Sequence, residues 1–124
     1  MARHNDTGRW GEQIAADALV CEGFAIKERN WRLGHLEIDI IAQRGNEYVF
    51  AEVKTRSDKD SDPLEAVGPR KIMNMVRAAD AFLNYHSDSL FEVRFDLFSI
   101  SGTPDDYTVE HIPDAFQAPI KTYR

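Results

Sequence analysis

Asp39, Glu52 and Lys54 are two acids and an amine at a spacing that can hold a divalent cation and stabilise negative charge. They fall in a stretch that divides into two predicted strands, 36–43 and 47–55. The break comes at Arg44-Gly45-Asn46, where Gly and Asn supply the positive φ that tight hairpins need. With a two-residue loop at Gly45 and Asn46, Asp39 faces Glu52 and Glu37 faces Lys54. Alternation places Ile38, Ile40, Ala42, Val49, Ala51 and Val53 on one face of the hairpin. The other face carries Glu37, Asp39, Glu52 and Lys54 before turning apolar at Ile41 and Phe50.

Directly opposed carboxylates have Cβ atoms about 5 Å apart and repel each other. A hard cation such as Mg²⁺ or Mn²⁺ compensates them, since it takes oxygen ligands and is commonly held by one or two carboxylates, waters and substrate phosphates. Lys54, two residues from Glu52 on the same face, is placed to stabilise developing negative charge or orient an attacking water. The competing account is a Glu37 to Lys54 ion pair with Asp39 solvated. The apolar neighbours favour strands covered on both faces, and so the cation.

These residues carry a resemblance. Glu37-Ile38-Asp39 followed by Glu52-Val53-Lys54 resembles the active-site hairpin of the PD-(D/E)XK nuclease superfamily. More closely, the chain resembles the small bacterial YraN-like proteins, uncharacterised protein family 0102. That likeness runs from Trp10-Gly11-Glu12 through Arg29-Asn30, the two triplets, Thr55-Arg56 and Lys71 to Arg94-Phe95-Asp96. The resemblance implies a restriction-endonuclease-like α/β fold and a Mg²⁺- or Mn²⁺-dependent nuclease acting on DNA or RNA. It makes Asp39 and Glu52 the metal ligands, Lys54 the catalytic lysine, and Glu12 the acid that related junction resolvases bring in from the first helix. It also turns Lys71 towards the site, with Lys71 and Arg56 as substrate contacts. The chain departs from the pattern at Leu36, where these proteins usually have Gly, and a larger side chain there is expected to crowd the substrate side.

The elements that must position these groups follow from periodicity. Thr7 or Asp6 can cap a helix from about Gly8 to Glu22, with Trp10, Ile14, Ala18 and Leu19 at helical spacing and Gly23 as its stop. Without the resemblance, Glu12 reads equally as an exposed first-turn acid favoured by the helix dipole. Residues 24–33 read as a strand with Phe24, Ile26 and Trp31 on the buried side and Lys27, Arg29 and Arg32 exposed. Ser57 to Pro63 is a polar loop beside the proposed site. Pro69 opens a second helix to about Tyr85, with Ile72, Val76, Ala79 and Leu83 on one face and Lys71 elsewhere, where it reads equally as a plain surface lysine. Leu90 to Ser101 is a strand reached through a helix, so it pairs in parallel and the sheet is mixed. A turn at Pro104-Asp105-Asp106 leads to an edge strand, Tyr107 to Ile112, and a loosely packed tail from Pro113. His35 and Cys21 read as a loop residue and a small helical thiol without chemistry.

At 124 residues the chain is expected to be one domain, with an ordinary globular composition of 43% hydrophobic and 29% charged residues. No long apolar run and no signal-like start are present, so a cytoplasmic address without membrane contact is expected. Residues 1–60 carry nine Lys and Arg against eleven Asp and Glu, and residues 61–124 carry six against ten, giving a net charge of −6. Affinity for phosphate backbones comes largely from basic contacts. Binding of nucleic acid by the free monomer is therefore expected to be weak, through a local stripe drawn from Lys27, Arg29, Arg32, Arg44, Arg56, Arg70, Lys71 and Arg77. Cleavage selective for branched or flapped substrates, with a homodimer or protein partner, suits a chain with no spare domain for base readout. The other class left open is a non-catalytic nucleic-acid- or protein-binding module that keeps the fold, with Leu36 occluding the site.

Overall fold

The computed structural model describes residues 2–56, 67–86 and 91–116. Its elements run in the order helix α1 (Ala2–Cys21), strands β1 (Ala25–Leu33), β2 (Leu36–Arg44) and β3 (Glu47–Arg56), helix α2 (Pro69–His86), and strands β4 (Glu92–Thr103) and β5 (Asp106–Phe116). The strands form one five-stranded sheet in sequence order. Every neighbouring pair is antiparallel except β3 and β4, which are parallel, as a strand-helix-strand connection requires.

Alternation along the central strands feeds two apolar clusters, one under each helix. Ile41, Tyr48, Phe50 and Phe95 pack with Met75, Val76, Ala78, Ala79 and Phe82 of α2. Ile40, Ala42, Val49, Ala51 and Phe98 pack with Ala15, Ala16 and Leu19 of α1. With both faces covered, β2, β3 and β4 are nearly continuous hydrophobic runs, as buried strands should be. Gly11 lets α1 approach the sheet at the end of β3, because a Cβ there would collide with Thr55 Oγ1. That close approach sets the height of its neighbour Glu12.

Several expectations are corrected. The first helix begins at Ala2, so Asp6 and Thr7 lie within it and do not cap it. At the hairpin only Gly45 takes a positive φ, 61°, and Asn46 does not. The second helix keeps Pro69 in its first turn and buries Val76 and Ala79 as expected, but Met75, Ala78 and Phe82 complete its buried stripe while Ile72 and Leu83 are only partly buried. The chain after Pro113 is not loose as far as Phe116: β5 continues to that residue, whose ring stacks on Phe95 at 5.0 Å. Leu36 packs against the apolar cluster under α2, so its bulk is spent on the core. The proposed loop from Ser57 to Pro63 lies outside the described residues. No described helix is long and apolar enough to cross a membrane.

Candidate functional site

From the turn, β2 and β3 pair in the expected register, Arg44 with Glu47 through Ile40 with Ala51, and there the ladder ends. Asp39 and Glu52 are therefore not ladder partners, and neither are Glu37 and Lys54. Glu37 instead lies 3.8 Å from Arg32. The strands part because the Asp39 carboxylate enters the gap and accepts a hydrogen bond from the Val53 backbone amide at 2.8 Å. The β1 ladder is broken at the same level. Arg29 pairs with Ile40 and Trp31 with Ile38, but no pair joins Asn30 to Asp39, and Asn30 has a φ of 54°. The distortion also moves Ile38, expected on the face of Ile40, into the cluster under α2.

The two acids nevertheless meet through their side chains. Glu52 lies close enough to Asp39 to feel its charge, and the two carboxyls titrate as neighbours. Lys71 reaches down from the first turn of α2 and places Nζ 3.2 Å from Glu52 Oε1. Burial is the main force on both acids. It raises Asp39 despite the Val53 amide, and together with the Asp39 charge it pushes Glu52 up to about 7 against the pull of Lys71.

Glu12 approaches this pair from α1. Its Oε1 accepts a 3.1 Å hydrogen bond from Asn30 Nδ2, and partial burial, with some repulsion from Asp39, raises its carboxyl. Glu12, Asp39, Glu52 and Lys71 are thus brought to one place from four elements. Lys54 lies two residues beyond Glu52 on β3, exposed and without a partner among the described residues. Arg56 lies further along the strand, where Nη2 donates to Ser99 Oγ at 2.9 Å and Nε is buried without a partner. Arg44 is not part of this group. It is held at the other end of the hairpin by Glu47 at 3.0 Å and over the Phe24 ring.

The donor chemistry fits a hard divalent cation. Two neighbouring carboxylates offer oxygen ligands only, and the Lys71 ammonium already supplies a positive charge beside Glu52. Among the described residues no three His, Cys, Asp or Glu side chains cluster tightly enough to enclose a metal. A cation held here would complete its shell with water and substrate oxygens, as Mg²⁺ commonly does.

Sequence reasoning gave two residues no role. Asn30 is one, and its signal was an Asn in mid-strand, where that residue is depleted. The other is Asp96, fully buried on the α1 side of β4. It accepts from Arg94 Nε at 2.8 Å, Arg94 Nη2 at 2.9 Å and the Asp114 amide at 3.0 Å, and lies 2.7 Å from His111 Nε2. Burial alone would raise its carboxyl, but the bonds from His111, Arg94 and Asp114 hold it below the usual carboxylate range. Arg94 extends the network to Glu22 and Glu47, and His111 stacks on Phe98.

Comparison with known proteins gives one consistent match. The family model for Uncharacterised protein family UPF0102 covers residues 11–100, a span that contains Glu12, Asn30, Asp39, Glu52, Lys54, Lys71 and Asp96. A UPF0102 protein of Bacteroides fragilis is 42% identical over 97% of this chain and 99% of its own length. Similar proteins occur in Bacteroides thetaiotaomicron, 43% identical over 97% of this chain, and Flavobacterium johnsoniae, 42% identical over 94%.

Proposed function

The chain belongs to Uncharacterised protein family UPF0102, and from the geometry of its acidic pair we propose that it is a metal-dependent nuclease. In this reading the fold is restriction-endonuclease-like and the site is of the PD-(D/E)XK type. The observation that carries it is the convergence of Asp39, held by the Val53 amide where the β2–β3 ladder ends, with Glu52 and its partner Lys71. A protein bears the cost of burying two repelling acids more readily where a ligand relieves it.

Asp39 and Glu52 would hold Mg²⁺ or Mn²⁺, which when bound polarises a phosphodiester and lowers the pKa of a coordinated water. The Val53 amide fixes the Asp39 carboxylate, so one ligand is oriented before any cation arrives. Lys54 is exposed beyond Glu52, where its ammonium can meet charge on the phosphate. Lys71, 3.2 Å from Glu52, would be available to a neighbouring phosphate if a cation took its place at that carboxylate. Arg56, anchored by Ser99, contacts the strand further along. The substrate is DNA or RNA, bound weakly by a chain of net charge −6 and selected by structure, with a second copy or a protein partner adding surface.

One observation favours a second reading. The Lys71 to Glu52 ion pair partly neutralises the acids without metal, as a non-catalytic binding module of this fold would need. Calorimetric titration with Mn²⁺ separates the two, because such a module gives no heat of binding. The decisive experiment incubates flap, junction, single-stranded and duplex substrates with Mg²⁺ or Mn²⁺, with Lys54→Ala as control. Cleavage by the wild type alone supports the nuclease. Equal cleavage by both discards it.

A further inference from the structure

Asn30 is in an unusual position for its residue type. It lies in mid-strand, where Asn is depleted, with a φ of 54° in the left-handed region that few residues other than Gly, Asn and Asp adopt. Such a conformation persists only where its surroundings over-determine it. Two features coincide there. The β1–β2 ladder runs on both sides of Asn30 but skips the Asn30 to Asp39 pair, which leaves Asp39 unpaired towards β1 at the level where it reaches for Val53. The Asn30 side-chain amide also donates to Glu12 Oε1 at 3.1 Å, tying the acid of α1 to the strand beside Asp39.

We propose that Asn30 is the positioning residue of this site: its left-handed backbone releases Asp39 from the β1 ladder, and its amide holds Glu12 towards the Asp39 and Glu52 pair. This rests on the nuclease reading. Asn30 touches neither substrate nor cation: its side-chain amide acts through Glu12 and its backbone through Asp39. A side chain bonded behind a metal-site acid typically changes affinity or activity by about 10- to 100-fold when removed. An Asn that merely closes an irregular strand would change stability and nothing else.

The test is a double-mutant cycle of Asn30→Gly, which keeps the left-handed backbone and removes the amide, with Glu12→Ala. In chelator, melting temperatures of the four proteins should be non-additive, because either single change breaks the same bond. With Mn²⁺, Asn30→Gly should weaken binding by calorimetry and lower kcat on the cleaved substrate by about 10- to 100-fold, and the double variant should be no worse than Glu12→Ala. Asn30→Asp tolerates the same backbone, lacks the donor and should show the same loss, so a misfolded glycine variant does not end the test. Additive melting shifts in chelator overturn the inference whatever the catalysis. So do losses that multiply in the presence of Mn²⁺, since Asn30 would then act independently of Glu12. A wild type that neither binds Mn²⁺ nor cleaves would instead sink the nuclease reading, and this inference with it.

Discussion

The Asp39 carboxylate accepts a hydrogen bond from the Val53 backbone amide at 2.8 Å, where the β2–β3 ladder has ended. Asp39 therefore has two duties, as partner of a backbone amide and as the acid whose charge acts on Glu52. The duties separate under substitution. Asp39→Asn keeps a carbonyl oxygen for Val53 and removes the repulsion with Glu52, so in chelator it should melt at or above the wild-type temperature. Asp39→Ala strands the amide and should cost about 1–3 kcal/mol. Mn²⁺ should raise the melting point of the wild type and of neither variant, because only a ligand of the folded state stabilises it. Scanning calorimetry with and without Mn²⁺ measures all three proteins.

Glu52 sets a pH dependence of stability. Its carboxyl rises from an ordinary 4.5 to about 7 in the folded protein, chiefly through burial and then through the Asp39 charge. A raised folded-state pKa means that the folded form binds the proton more tightly. The contribution is complete below about pH 4.5 and is lost as pH rises towards about 7. Because Glu52 feels the Asp39 charge, the titration belongs to the pair. Chelated wild type should lose on the order of 1–3 kcal/mol across this window, and Glu52→Gln should lose much less. Urea unfolding at pH 5 and pH 8 tests it, and equal slopes in the two proteins would contradict it.

Lys71, 3.2 Å from Glu52, competes with any cation for that carboxylate. Lys71→Met should therefore tighten Mn²⁺ binding while weakening substrate binding, a split that a merely structural lysine would not produce. The chelated variant should also be less stable at pH 8, where Glu52 is charged and has lost its partner, and near wild type at pH 4. Calorimetry and equilibrium unfolding give the two readouts.

Much of this arrangement was legible in the sequence. Apolar alternation and the Gly45 turn set the hairpin register as far as Ile40 and Ala51, and the long connection containing Pro69 required β3 and β4 to be parallel. Register arithmetic then failed at the site itself. A polar side chain that enters the ladder, as Asp39 does, leaves no trace in a period-two pattern, and so Ile38 was placed on the wrong face. Lys71 reaches Glu52 across a crossover whose packing depends on α2 as a whole, and the buried stripe of that helix turned out to centre on Met75 and Phe82. The part of β5 beyond Ile112 was illegible because Pro113 suggests an ending, whereas Asp114, with a φ of 52°, turns its amide onto Asp96.

Asp96 provides the last prediction, because it is as deeply buried as any acid among the described residues and its role is the opposite of that of Glu52. Three donors and His111 surround a carboxylate with no exposed surface, on the α1 side of the sheet, opposite Ala51 in the β3–β4 register. Removing its charge leaves the Arg94 guanidinium facing an amide that can satisfy only part of it. Breaking a buried ion pair in this way costs about 3–5 kcal/mol. Asp96→Asn should therefore be strongly destabilised at pH 7. The folded carboxyl is held below its ordinary value, so its contribution is present above the unfolded pKa and is lost as pH falls through the folded one. The gap between wild type and variant should thus close in strong acid, whereas the gap between wild type and Glu52→Gln opens as pH rises from about 4.5 towards about 7, where the wild type weakens. Folded Asp96→Asn, held at low temperature, should bind Mn²⁺ as the wild type does. Loss of that binding would mean that the Arg94, Asp96 and His111 network belongs to the site and is not a separate clasp on β5.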